Sequence, residues 1–110
     1  MASELEIVRG TLDLLILKAL SVEPTHGYGV ATWLETHSGG SLGVDDSALY
    51  QSLRRLESRG LVKGEWGLSD NNRRARFYRL TRKGESELEA QSDVWSRYAK
   101  SVAGILAVRG

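Results

Sequence analysis

The chain has 110 residues and a net charge of +1, a length that fits one domain burying roughly 65% of its unfolded surface. Hydrophobic residues make up 41% and charged residues 26%, an ordinary soluble globular composition, and the lack of Cys excludes disulfides and thiolate metal sites. The N-terminus lacks a signal-peptide pattern and the longest apolar run, LLIL at 14–17, cannot span a bilayer, so we expect a soluble cytoplasmic protein with no membrane partner.

Two helices are predicted in the first third of the chain. GTLDLLILKALS, residues 10–21, is apolar on most sides, which indicates a centrally buried helix. We expect Thr11 to cap its start, and the helix must end before Pro24, the only proline. HGYGVATWLETHS, residues 26–38, places apolar and aromatic side chains at helical spacings and predicts the second helix.

The third predicted helix, SALYQSLRRLESRG at 47–60, separates a buried stripe from a polar face. Its leucines recur at spacings of four and three, and Gly60 stands where a left-handed residue ends a helix. A glycine-rich loop precedes it and ends in Asp45 and Asp46, either of which can cap its start. The stripe comprises Leu49, Leu53 and Leu56, and the outward face carries Ser47, Gln51, Arg54, Arg55 and Ser58.

Two strands should follow the third helix. LVKGEW, residues 61–66, and RARFYRL, residues 74–80, have strand-like composition and are separated by a Gly/Asp/Asn turn sequence, which predicts a two-stranded antiparallel ribbon. Alternation puts Arg76, Tyr78 and Leu80 on one face and Phe77 and Arg79 on the other, and the tip carries Asn71, Asn72, Arg73 and Arg74.

A long helix at about 82–108, capped by Thr81, completes the chain. Its apolar side chains follow a pattern close to a heptad seam, and its length of roughly 40 Å exceeds what so small a core requires. We therefore expect a second copy of the chain to cover it, since closed dimers dominate soluble oligomers. The expected dimer interface comprises Leu88, Trp95, Tyr98, Val102, Ile105 and Leu106.

The charge is distributed unevenly along the chain. Residues 45–84 hold ten basic and five acidic side chains, whereas the remainder holds five basic and nine acidic ones. Residues 73–83 contain six bases and no acid. A local positive field on an otherwise acidic molecule indicates a polyanion such as nucleic acid as the partner. The alternative is a solvated strand edge, whose charges prevent aggregation.

Three helices followed by a hairpin, with basic groups on both the third helix and the hairpin tip, predict a winged helix-turn-helix. The fold class is α+β, mostly α, with the winged domain at 5–81 and a dimerisation helix at 82–108. A helix fits the major groove, where Arg reads guanine and Gln51 can pair with adenine. The wing would contact the flanking DNA backbone or minor groove and position the helix without reading much sequence.

Several segments closely resemble the PadR family of bacterial transcriptional regulators, in particular its short members. These segments are GTLDLLILKAL, HGYGV, ALYQSLRRLESRGLV and EWGLSDNNRRARFYRLTRKG, together with the Trp-bearing last helix; the likeness runs from about residue 5 to 107. The resemblance implies a homodimer joined through the last helix, which binds a two-fold operator and usually represses nearby genes. In several members of the family, a small planar aromatic effector releases the DNA.

The resemblance also implies which residues contact double-stranded DNA. Tyr50 matches the family's tyrosine early in the recognition helix, where it can contact a phosphate or pack beside the buried stripe. Ser47 and Gln51 stand where the family commonly has Gly and Pro, so the operator sequence cannot be taken from relatives. Arg79 can pair with an acid instead. The expected DNA contacts are Ser47, Tyr50, Gln51, Arg54, Arg55, Asn72, Arg73, Arg74 and Arg76.

Other residues have competing interpretations. Trp95 can bury area across the dimer, where aromatics are favoured, or also stack on an effector. Trp33 and Trp66 are expected in core or interdomain packing. His26 and His37 are eleven residues apart without Cys, so we expect neither a metal nor another cofactor. No nucleophilic set suggests an enzyme. The alternative function is a winged-helix protein–protein interaction module.

Overall fold

The structure, a computed structural model, describes residues 5–7 and 10–110. The N-terminal segment that lacks a signal-peptide pattern includes residues 1–4, 8 and 9, which lie outside the described residues. Within the described residues, four helices and five strands follow one another. They are β1 (Leu5–Glu6), α1 (Leu12–Val22), β2 (Thr25–His26), α2 (Gly27–His37), β3 (Leu42–Gly43), α3 (Asp46–Ser58), β4 (Val62–Leu68), β5 (Arg74–Leu80) and α4 (Arg82–Leu106).

The core forms around α1. From Leu12 to Leu20 every side chain except Lys18 is at least partly buried, which confirms that this helix is central. It packs against α2, α3, α4 and β5. The leucine stripe of α3 enters the same core, where Leu49, Leu53 and Leu56 are almost completely inaccessible to solvent. The outward polar face of α3 is therefore fixed by burial of the opposite side.

The helix starts confirm two of the predicted caps and correct a third. Thr11 precedes α1, but its side chain makes no capping hydrogen bond; only its carbonyl accepts, from the Leu15 N–H at 3.0 Å. The expectation that Thr11 caps α1 through its side chain was therefore wrong. Asp45 Oδ2 accepts from the Ala48 N–H at 3.0 Å, so the first of the two aspartates caps α3. Thr81 caps α4 in the same way.

Gly60 ends α3 as the sequence predicted. Its φ of 75° lies in the left-handed region, which glycine enters without steric cost. The Gly60 N–H donates to the Glu57 carbonyl at 3.0 Å, and the Leu61 N–H donates to the Leu56 carbonyl at 2.9 Å. This pair of bonds is a Schellman motif, and the burial of Leu61 supplies its apolar contact.

The predicted two-stranded ribbon is part of a three-stranded sheet. β4 pairs with β5 antiparallel from Val62 opposite Leu80 to Leu68 opposite Arg74. β2 pairs with the other edge of β5, giving the order β2-β5-β4. β1 and β3 form a separate two-residue parallel pair. The extra strand attaches the base of the wing to the start of α2.

The last helix is tied to the end of α3 at its own start. Thr81 Oγ1 donates to the Gly60 carbonyl at 2.7 Å, and Lys83 Nζ donates to the Arg59 carbonyl at 2.9 Å. A Cβ on Gly84 would overlap the Leu61 carbonyl oxygen, so only glycine permits this approach.

No helix within residues 10–110 has the combination of length and apolar character that crossing a bilayer requires.

Candidate nucleic-acid interface

The exposed face of α3 begins directly after its capped first turn. Gln51 Nε2 lies 3.4 Å from Ser47 Oγ, a weak hydrogen bond between two side chains one turn apart. Tyr50 is about half exposed, so its ring is not part of the core stripe. The polar side chains that α3 presents to solvent are Ser47, Tyr50, Gln51, Arg54 and Arg55, with Asp46 at its start and Ser58 at its end.

Two neighbouring arginines of α3 differ in what they contact. Arg55 Nη2 lies 2.9 Å from Asp13 Oδ1 on α1 and 2.9 Å from Ser52 Oγ. Arg54 is exposed and forms no ion pair with the side chains that the structure describes. The guanidinium of Arg54 is therefore available to an external acceptor, whereas Arg55 would have to leave Asp13.

The wing tip holds its arginines on a hydrogen-bonded turn. The Ser69 N–H donates to the Arg73 carbonyl at 2.8 Å, and the Asn72 N–H donates to the Ser69 carbonyl at 2.8 Å. Asn72 has a φ of 59°, a left-handed conformation that asparagine tolerates better than most residues. Beyond this turn Arg73 and Arg74 are both exposed.

Trp66 differs from the sequence-based expectation. It was expected in core or interdomain packing, but its side chain is 59% exposed on β4. The guanidinium carbon of Arg74 lies 4.5 Å from the centre of its ring, and that of Arg76 lies 5.6 Å away. The indole is thus a plate on which two wing arginines stack. Trp33, by contrast, packs against the core and stacks on His37 with ring centres 4.2 Å apart.

Arg76 and Arg79 have acidic partners. Arg76 Nη2 lies 2.6 Å from Glu57 Oε2 on α3, and this hydrogen bond raises the pKa of Arg76 above its ordinary value. Arg79 Nε lies 3.9 Å from Glu65 Oε1. Beneath Arg76, burial raises the pKa of the Tyr78 phenol above its ordinary value. The cations of the wing base are thus partly neutralised, unlike those of its tip.

A groove of about 680 Å³ joins the wing to the helices. Tyr50 lines it from α3 and Tyr28 from the start of α2, while the wing contributes Trp66 and its arginines. Sequence reasoning missed Tyr28, Trp66 and Glu57. A cross-strand pairing of Trp66 with Arg76 in the predicted ribbon could have indicated the stack. The wing residues along the groove include Asn71, Arg73, Arg74 and Arg76.

The residues expected at a dimer interface divide into two groups. Leu88 packs against the core of its own chain, and Val102 is half-buried. Trp95 is 46% exposed, and Val94 beside it, which sequence reasoning missed, is also exposed. The remaining members, Tyr98, Ile105 and Leu106, are largely exposed. Beyond its first turns, α4 therefore carries apolar side chains that its own chain leaves uncovered.

Within the part of the chain that the structure describes, His, Cys, Asp and Glu side chains nowhere form a group of three that could hold a metal ion. His26 has a structural role, since its Nδ1 accepts a hydrogen bond from the Gly29 N–H at 3.0 Å and caps α2. Its ring also lies 5.2 Å from that of Phe77, edge to face.

The three-helix core, the sheet with its projecting wing and the exposed polar face of α3 define a winged helix-turn-helix protein. Residues 16–90 match the transcriptional regulator PadR-like family. The chain belongs to this family of transcriptional regulators, whose members are regulators and not enzymes.

Two solved structures of the family agree with this assignment, and a third structure shares the fold. A PadR family transcriptional regulator from Eggerthella lenta is 32% identical, with a TM-score of 0.77 over 92% of this chain and 86% of that one. A PadR family transcription regulator from Clostridium difficile is 27% identical, with a TM-score of 0.77 over 89% of this chain and all of that one. Bacillus subtilis PadR, solved in complex with operator DNA, is 22% identical, with a TM-score of 0.66 over 74% of this chain and 46% of that one.

Proposed function

We propose that this regulator is a homodimeric repressor that binds a two-fold DNA operator with α3 in the major groove. The observation that carries the proposal is the groove that Tyr50 of α3 lines together with Arg73 and Arg74 of the wing. A duplex lying along α3 would meet the reading helix and the wing cations together. A regulator that recognises DNA needs both elements, one for base edges and one for phosphates.

The proposed base readers lie on α3. Arg54 is exposed and has no acidic partner among the described side chains, so it can donate two parallel hydrogen bonds to a guanine edge. Gln51 can pair with adenine in the same way once it releases Ser47. Ser47 and Tyr50 are placed at the first turns, where they would contact the backbone. Arg55 would join them only by exchanging Asp13 for DNA.

The proposed role of the wing tip is to hold the phosphate backbone. Arg73, Arg74 and Asn72 are exposed, and stacking on Trp66 limits the rotamers of Arg74 before any ligand arrives. If the dimer neutralises about six phosphates, the log–log salt slope of the binding constant should be near −5. Binding of DNA is established for Bacillus subtilis PadR by its complex, and the common fold supports extending it to this chain.

Dimerisation is proposed through α4, with residues 5–81 as the DNA-binding domain and 82–108 as the dimerisation helix. The 25 residues of α4 span about 38 Å, and the exposed Trp95, Tyr98, Ile105 and Leu106 lie along its second half. A second copy would cover them in a closed pair. Two α3 helices would then address half-sites about 34–36 Å apart, and bound protein would block the promoter that it overlaps.

A small planar aromatic effector is a further part of the proposal, with Trp95 as its stacking plate. Titration with flat aromatic compounds should quench tryptophan fluorescence and release operator DNA. Trp95→Phe should reduce both effects while Trp33→Phe leaves them intact. If no compound changes either signal, the regulator acts without this effector.

Selection of binding sites from a random duplex pool, followed by footprinting, tests the DNA-binding proposal. We expect a two-fold sequence whose half-sites are one helical turn apart. A pool that shows no enrichment after several rounds would contradict sequence-specific binding. The chain would then fit a winged-helix module that recognises an acidic protein, and its basic groove would be the surface to test.

A further inference from the structure

Arg76 connects three elements of the interface. Its Nη2 lies 2.6 Å from Glu57 Oε2 on α3, and its guanidinium carbon lies 5.6 Å from the Trp66 ring on β4. A Cβ on Gly64 would come within 2.7 Å of Arg76 Nε, so the absence of a side chain at Gly64 makes room for the arginine. Arg76 therefore lies flat across β4 and reaches the recognition helix.

The partner of Arg76 is Glu57, which forms no other ion pair with the side chains that the structure describes. Glu57 follows the buried Leu56 near the end of α3, about one turn after Arg54, and its carboxylate pairs with Arg76 of the wing. The side chains of Arg76 and Glu57 are 32% and 33% exposed, so solvent screens their attraction less than it would screen a fully exposed pair. A carboxylate on a DNA-binding face repels phosphate unless a nearby cation neutralises its charge. Here Arg76 neutralises the charge of Glu57.

We propose that Arg76 is a positioning residue, which fixes the angle between the wing and α3 by joining Glu57 to Trp66, and that it makes no phosphate contact itself. This inference rests on the proposed DNA-binding function. The same indole that Arg76 touches carries Arg74 at 4.5 Å, so the fixed wing also aims its tip arginine. Preorganisation of this kind increases affinity by lowering the ordering cost of binding.

A double-mutant cycle separates positioning from direct contact. In the positioning account, Glu57→Gln and Arg76→Gln each weaken operator binding about tenfold, and the double variant is no weaker than either single one. The salt slope stays at the wild-type value in all three. If Arg76 instead binds phosphate, Glu57→Gln releases it and tightens binding, while Arg76→Gln lowers the salt slope by about one. That result would overturn the proposal.

Arg73→Gln is the matched control, since it removes the same charge from the exposed wing tip. It should lower the salt slope of operator binding by about one and leave the coupling between Glu57 and Arg76 unchanged. Thermal unfolding of each variant shows whether the fold is intact. Hydrogen exchange supplies a readout independent of DNA: Glu57→Gln should speed exchange in residues 64–78 and leave α1 unchanged. Equal exchange rates in the variant and the wild type would overturn the proposal that Arg76 fixes the angle of the wing.

The two proposals fail in different ways. If the wild-type protein shows no salt-dependent DNA binding, the proposed function fails, and the exchange data still decide whether Arg76 fixes the wing. If the wild type binds DNA and Glu57→Gln binds more tightly, the function stands and the positioning role fails.

Discussion

Replacing Trp95 by alanine should separate the proposed dimer into monomers. Trp95 lies in the middle of α4, where alanine is the most favourable helix former, so the substitution leaves the helix itself intact. The side chain is 46% exposed, and its loss opens no cavity in the central core of its own chain. The effect of the substitution should therefore fall on association.

The exposed area sets the size of the effect. A tryptophan presents about 200 Å², so 46% leaves about 100 Å² for a partner to cover. At about 25 cal/mol per Å² this contributes about 2.5 kcal/mol per side chain. A two-fold dimer holds two copies, which gives about 5 kcal/mol if coverage is complete. The dimer dissociation constant should then rise by about a thousandfold or more.

Sedimentation velocity over a concentration series measures this change. The wild type should sediment as a dimer at micromolar concentration and Trp95→Ala as a monomer. Lys100→Ala is the control, because that exposed position lies away from the apolar seam of α4. A Trp95→Ala dimer as tight as the wild type would refute the assignment of this surface to the interface.

Three further predictions concern the recognition helix and wing, the buried Tyr78 and the cap of α3. Arg54→Ala should reduce discrimination between operator and random duplex, whereas Arg73→Ala should lower affinity for both duplexes alike. Competition assays measure the ratio of the two affinities. An equal loss of discrimination in the two variants would contradict the division of roles between helix and wing. Because burial raises the pKa of Tyr78, its phenol ionises at lower pH in the unfolded chain than in the folded one, so the free energy of unfolding should fall as pH rises above about 10. Urea titrations across this pH range should show a smaller fall for Tyr78→Phe. A fall as steep as that of the wild type would contradict this role of Tyr78. Asp45→Ala should cost about 1 kcal/mol of stability through the lost cap of α3, measured against Asp46→Ala, and equal losses would show that Asp45 has no special role.

Local signals in the sequence predicted the helices well. The leucine spacing in α3 specified which side is buried, and Gly60 specified where the helix ends, because both depend on residues within one or two turns. Thr81 was recognised as the cap of α4 for the same reason. Thr11 was not distinguished from a true cap, since residue type alone does not show that its backbone is helical, with φ −89° and ψ −26°, where a capping residue is extended.

The contacts within the candidate interface were beyond the reach of sequence reasoning. Arg55 meets Asp13 across 42 positions of the chain, and Arg76 meets Glu57 across 19. Composition counted both arginines among the available cations, because no local pattern shows that an acid from another element lies beside them. The strand Thr25–His26 is only two residues long, so it shows no alternation to identify it.

The most direct test is binding of the purified protein to duplex DNA from upstream of its own gene and to random duplex, each at two salt concentrations. We expect tighter binding to the upstream DNA and a loss of affinity for both duplexes as salt increases, with a log–log slope near −5 for the specific complex. No binding to either duplex, or binding that salt does not change, would contradict the claim that α3 and the wing tip form a DNA-binding surface.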